Sequence, residues 1–132
     1  MESKNVIKNI LIIDDDPIAR MLARRNLEIA GHNGSIITAE NGLIGLDILR
    51  KLGSETIVLL DLHMPQLDGL GVLQKLKEQN IKPITFMLSS SEVTEKQISK
   101  LGLAGVTGFL TKPIDQLKSK VILEQTVSLI TV

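Results

Sequence analysis

Ile10-Leu11-Ile12-Ile13-Asp14-Asp15-Asp16-Pro17 sets four consecutive apolar residues against three carboxylates and a proline. A short run that is apolar without alternation is the pattern of a strand covered on both faces, as in a parallel sheet between helical layers. Asp16-Pro17 then reads as a helix start, with an acidic N-cap and proline at the first helical position. A covered strand that passes through a tight acidic turn into a helix opens a βαβ unit.

The pattern recurs downstream. Ser35-Ile36-Ile37-Thr38, Thr56-Ile57-Val58-Leu59-Leu60, Ile84-Thr85-Phe86-Met87-Leu88 and Val106-Thr107-Gly108-Phe109-Leu110 are four further short apolar runs. The intervals carry helical periodicity, as with Ile18, Met21, Leu22, Leu27 and Ile29 in the first and Leu70, Leu73 and Leu76 in the third. Gly31, Gly53 and Gly102 stand where helices should end. Strand and helix alternate five times, which predicts a three-layer α/β/α sandwich, a doubly wound (βα)5 chain around a five-stranded parallel sheet. Ligands of such folds bind beyond the carboxyl ends of the strands.

With 132 residues the chain is expected to be a single domain, 1–132, with its core from about 9 to 123 and no effector domain. It has no cysteine, which excludes thiol nucleophiles, thiolate metal sites and disulfides. Lys+Arg and Asp+Glu are 15 each, so neither direct nucleic-acid binding nor association with an anionic membrane is expected. Phe86 and Phe109 are the only aromatics, too few to stack bases or a flavin. No apolar run approaches the length of a membrane span or a signal peptide, and a cytoplasmic location is expected.

Chemistry should collect after the strands. Asp14, Asp15 and Asp16 follow the first, Asp61 the third, Ser89, Ser90 and Ser91 the fourth, and Lys112-Pro113 the fifth. Three converging carboxylates, Asp14, Asp15 and Asp61, repel one another unless a cation offsets them. Without cysteine and with only His32 and His63, a hard oxygen-preferring ion fits: Mg²⁺, with Mn²⁺ as a substitute. With Mg²⁺ and Lys112 the formal charge balances, and the edge could accept a phosphoryl group. Plainer roles exist for each residue alone: Asp16 an N-cap, Asp61 a turn residue, one of the three serines a cap for a helix starting near Glu92, Lys112 a surface lysine, His63 a surface side chain, Phe109 a core aromatic.

Four motifs in order, Ile12-Ile13-Asp14-Asp15-Asp16-Pro17, Leu60-Asp61-Leu62-His63-Met64-Pro65-Gln66-Leu67-Asp68-Gly69, Met87-Leu88-Ser89-Ser90 and Phe109-Leu110-Thr111-Lys112-Pro113, resemble the receiver domains of two-component response regulators, which have a flavodoxin-like fold. The resemblance runs from about Asn9 to Leu123. It implies that Asp61 is the phosphoacceptor, receiving a phosphoryl group from the phosphohistidine of a sensor histidine kinase or a histidine phosphotransfer protein. It further implies that Asp14, Asp15, Asp61 and the backbone carbonyl of His63 hold Mg²⁺. Ser89 and Lys112 would contact the phosphoryl oxygens, and Ser89 and Phe109 would form the switch toward the face of the fourth helix, fifth strand and fifth helix. Phe109 stands where the family often has tyrosine, and Ser90 where it usually has alanine.

Three other functions compete. An aspartate-nucleophile phosphatase would need its Asp-x-Asp after the first strand and a cap insertion. An FMN carrier would need a hydroxyl-rich phosphate loop and aromatic walls. A receiver-like adaptor that is never phosphorylated would not need Asp61, Ser89 and Lys112 together. Output is expected through protein binding, including a phosphorylation-dependent homodimer, with Val121, Ile122, Leu123, Val127, Leu129, Ile130 and Val132 exceeding one core-facing stripe.

Overall fold

The computed structural model describes residues 9–53, 55–91, 94–103 and 105–130, apart from the side chains of 100–103 and 125–130. The elements alternate as expected: β1 (Asn9–Ile13), α1 (Pro17–Ile29), β2 (Ser35–Ala39), α2 (Gly42–Leu52), β3 (Thr56–Asp61), α3 (Gly69–Glu78), β4 (Ile84–Ser89), α4 (Glu95–Leu103), β5 (Gly108–Thr111) and α5 (Gln116–Ile130). All pairings are parallel and the strand order is β2-β1-β3-β4-β5.

Alternate strand residues enter two cores. Ile10, Ile12, Ile57, Leu59, Phe86 and Leu88 pack with Ala23 and Leu27 of α1 and Ile122 of α5. Leu11, Ile13, Val58, Leu60 and Met87 pack with Leu46 and Leu49 of α2 and Val72, Leu73 and Leu76 of α3. Right-handed crossovers put α4 on this second side. Each fully buried Leu, Ile or Phe contributes roughly 1.5–3 kcal/mol, and the two-sided demand explains why the strands read as unbroken apolar runs.

Helix ends follow local chemistry. Asp16 caps α1 by accepting the Ile18 N–H at 3.0 Å, with Pro17 behind it, and Asn41 and Asp68 cap α2 and α3 in the same way. Gly31 and Gly53 follow α1 and α2 with φ of 113° and 81°, conformations that favour glycine.

Some expectations are corrected. Ile18, Met21 and Ile29 do not face the core: they are exposed, and α1 buries the stripe Ala23 and Leu27 instead. Gly102 does not end α4, which continues to Leu103. β5 runs from Gly108 to Thr111, starting two residues later than expected; Thr107, just before it, donates its N–H to the Thr85 carbonyl of β4. No serine caps the fourth helix; Thr94 and Gln97 form a reciprocal capping box, with Thr94 N–H to Gln97 Oε1 at 2.9 Å and Gln97 N–H to Thr94 Oγ1 at 3.2 Å. Glu92 and the side chains of Val127, Leu129, Ile130 and Val132 lie outside the described residues. Ile122 is buried and Val121 and Leu123 are half-buried, so α5 covers this part of the apolar set.

The start of α3 is fitted tightly to the end of β3. A Cβ on Gly69 would lie 2.7 Å from the Asp61 carbonyl oxygen and 3.0 Å from Leu62 Cα and from Met87 Sδ. Gly69→Ala should therefore destabilise the chain by about 1–3 kcal/mol, because backbone rather than a flexible side chain must yield. Urea unfolding should show a lowered midpoint at unchanged slope; an unchanged midpoint would refute the tight fit.

Candidate functional site

Register places the site. Ile13 of β1 is aligned with Leu60 of β3, so Asp14 and Asp61 arrive side by side where these strands end. Asp61 is aligned with Leu88 of β4, and Ser89 with Thr111 of β5, so Ser89 and Lys112 reach the same edge. Asp14, Asp61 and Ser89 are buried, at 1%, 3% and 2% exposure, while Asp15 is exposed. One carboxylate oxygen from each of Asp14, Asp15 and Asp61 lies within 4.8 Å of the others.

Lys112 closes the cluster on the side of β5. Its Nζ lies 3.1 Å from Asp14 Oδ2 and 3.4 Å from Asp61 Oδ2. Asp14 Oδ1 accepts the Asp16 N–H at 2.9 Å, and Asp61 Oδ1 accepts the His63 N–H at 3.3 Å. Asp16 thus adds its own N–H to Asp14 besides capping α1. Ser89 Oγ accepts the Ser91 N–H at 3.3 Å, and its own proton has no acceptor among the described residues. The His63 side chain points to solvent, Ser90 is exposed, and Phe109 is half-buried against the core on the α2–α3 side.

Burial, and then the charge of Asp14, push the Asp61 carboxyl up from 3.8 to about 7, with Lys112 and the His63 N–H acting the other way. Burial works to lower the Lys112 ammonium, but its hydrogen bond to Asp14 and the charges of Asp14 and Asp61 outweigh that and hold it above its usual value. The unfolded Asp61 loses its proton near 3.8 and the folded one near 7, so in that interval the native state binds more protons and stability falls as pH rises. In chelator-treated protein, Asp61→Asn should raise Tm at pH 8 by about 3–8 °C, corresponding to roughly 1–2 kcal/mol, and the gain should shrink toward pH 5. A gain independent of pH would show that the buried charge is not its source.

Three contributors were not singled out in the sequence. Arg20 donates to the Asp14 carbonyl at 2.7 Å, Asn26 donates to the Ile114 carbonyl at 2.8 Å, and Lys118 donates to the Thr111 carbonyl at 2.7 Å. All bind backbone oxygens, and a side chain aimed at a carbonyl leaves no motif. The one available signal is that Lys118 lies in the first turn of α5, where the helix dipole disfavours a cation.

Residues 10–123 match the family model of the response regulator receiver domain. The chain belongs to that family. A probable transcriptional regulator, ycf27, of Porphyra purpurea is 36% identical over 83% of this chain and 43% of its own length. Chemotaxis protein CheY-3 of Vibrio cholerae is 30% identical over 79% of each chain. The chain thus spans about two-fifths of the length of the ycf27 relative. A CheY-like receiver domain protein from Methanospirillum hungatei superposes with a TM-score of 0.71 at 28% identity, covering 92% of this chain and 93% of its own. Receiver domains bind Mg²⁺ through an acidic cluster of the kind seen at Asp14, Asp15 and Asp61, and they work with histidine kinases in two-component signalling. Among the described residues no helix is long and apolar enough to cross a membrane.

Proposed function

We propose that this receiver accepts one phosphoryl group on Asp61 from the phosphohistidine of a sensor histidine kinase or histidine phosphotransfer protein, in a reaction that requires Mg²⁺. The observation that carries the proposal is the buried Asp61 carboxylate, flanked by two further carboxylates within 4.8 Å and by the Lys112 ammonium at 3.4 Å. One lysine cannot balance three carboxylates. A divalent ion on Asp14, Asp15 and Asp61, joined by the His63 carbonyl, fits this all-oxygen donor set. Bound there, it would offset carboxylate charge and stabilise charge on the transferring phosphoryl oxygens.

This chain's own residues do the rest. An Asp61 oxygen attacks phosphorus in line with the bond to the donor imidazole nitrogen. The P–O bond forms as the P–N bond breaks, and the imidazole nitrogen takes a proton from solvent. Ser89 has a free hydroxyl proton to donate to one phosphoryl oxygen, and Lys112 is placed to pair with another. The product carries about −1.5 to −2 charge where the carboxylate carried −1, set farther out beside these two donors, and their movement toward it is the proposed switch, carried by Ser89 and Phe109. The chain is proposed to act on its own aspartate rather than to turn over substrates. Residues 9–123 would be the working unit, acting in the cytoplasm through altered protein binding or self-association.

Acetyl phosphate with Mg²⁺ should add the mass of one phosphoryl group to the intact protein, and chelation should prevent it. No added mass from either acetyl phosphate or a phosphorylated phosphotransfer protein would overturn the proposal. Turnover of a generic phosphate ester would instead favour the phosphatase reading.

A further inference from the structure

We infer that Lys118 is a positioning residue for Lys112, holding the turn between β5 and α5 through its backbone carbonyls; the inference rests on the phosphoacceptor reading above. Lys118 Nζ donates to three oxygens of that turn: the Thr111 carbonyl at 2.7 Å, Thr111 Oγ1 at 3.2 Å and the Pro113 carbonyl at 3.2 Å. These acceptors come from the residues on either side of Lys112. An ammonium has three donors, and here all three are used.

A surface lysine needs no such arrangement. Lys118 sits in the first turn of α5, against the helix dipole, and makes no ion pair with any described carboxylate. Placing a flexible cation there and ordering its side chain both cost free energy, and three hydrogen bonds to oxygens facing into the turn offset that cost. A residue that breaks a local rule with a specific compensation marks a position where something else is being held.

What is held is the Lys112 backbone. Its N–H donates to the Ser89 carbonyl at 2.7 Å, and Asn26 of α1 fixes the Ile114 carbonyl two residues on. With Thr111 and Pro113 fixed by Lys118, the peptide groups around Lys112 are restrained from both sides. Lys112 Nζ is thereby delivered to Asp14 and Asp61 across β4. Lys118 touches neither carboxylate, so it acts on the site only through Lys112.

The test is a double-mutant cycle on the full chain, read as the rate of phosphoryl uptake from acetyl phosphate at saturating Mg²⁺. Lys118→Met keeps the chain length and removes the donors. It should slow uptake by about 5- to 50-fold, because displacement of a group on the order of 1 Å is enough for such a loss. Lys118→Arg, which retains several donors, should recover most of the rate. In a Lys112→Ala background, Lys118→Met should change the rate less than twofold, since nothing is left to position. Within each background, Lys118→Met should leave Mg²⁺ affinity within about twofold of its parent. Hydrogen exchange at the Lys112 amide should speed up in Lys118→Met, a readout independent of phosphorylation.

Equal slowing in both backgrounds would show that Lys118 acts through general stability and would overturn the inference. So would a wild-type rate for Lys118→Met in a chain that is itself phosphorylated and slowed by Lys112→Ala. Absence of phosphorylation in the wild type would instead overturn the phosphoacceptor reading, and this inference with it.

Discussion

Asp61→Asn is expected to take up no phosphoryl group from acetyl phosphate or a phosphohistidine donor under conditions where the wild type should gain one. The expected effect is complete, because the amide keeps the volume of the side chain but lacks the carboxylate oxygen that attacks phosphorus. Intact-mass measurement checks it. Retention of the added mass at wild-type yield would place the acceptor elsewhere, with Asp14 the first alternative as the other buried carboxylate at the edge. Unfolding is not a competing explanation if the variant melts above the wild type at pH 8, as the raised Asp61 carboxyl requires. The two measurements together separate loss of the acceptor from loss of the fold.

Asp15→Asn should weaken Mg²⁺ binding at least tenfold, to judge from the roughly 10- to 100-fold losses seen when even outer partners of a metal are removed. Asp15 is exposed, so the substitution should leave stability nearly unchanged. Lys112→Ala should behave in the opposite way. Its ammonium lies 3.1 Å from Asp14 and 3.4 Å from Asp61, where it competes with any second cation for those carboxylates. Removing it should leave Mg²⁺ affinity unchanged or tighter, while uptake of the phosphoryl group slows. Calorimetry is the suitable measurement, since the chain has no tryptophan whose fluorescence could report the metal. An equal loss of Mg²⁺ affinity in Lys112→Ala and Asp15→Asn would end this division of roles.

Elements with two buried faces were the most legible in the sequence. β1 and β3 lie in the interior of the sheet, so nearly all their positions are buried on both faces and the apolar run declares itself. The residues that end these strands were legible for the same reason: polarity begins abruptly at Asp14 and at Asp61. The core face of α1 is hard to read from the sequence because its apolar residues outnumber what that face uses. Ala23 buries well while contributing little to a hydrophobic pattern, and Ile18, Met21 and Ile29 attract notice from the solvent side. The start of β5 is blurred in the sequence because an edge strand of half-buried residues has no sharp boundary. Within the site, side chains acting through their own charge could be found from composition and spacing. Arg20 and Asn26 could not, and Lys118 only through its place against the helix dipole, since their acceptors are main-chain carbonyls that every residue carries.

The strand order also gives the molecule a gradient of stiffness. Asp14 and Asp61 extend from β1 and β3, strands paired along both edges and sealed on both faces, where opening requires something close to global unfolding. Lys112 and Phe109 belong to β5 and its turn, four strand residues paired along one edge only. A phosphoryl group on Asp61, as proposed, would therefore pull on a compliant margin from a rigid interior, and the margin would give. On the proposed reading the carboxylates would stay in register while displacement ran outward through Ser89 and β5, so the direction in which the signal would travel follows from the order β2-β1-β3-β4-β5.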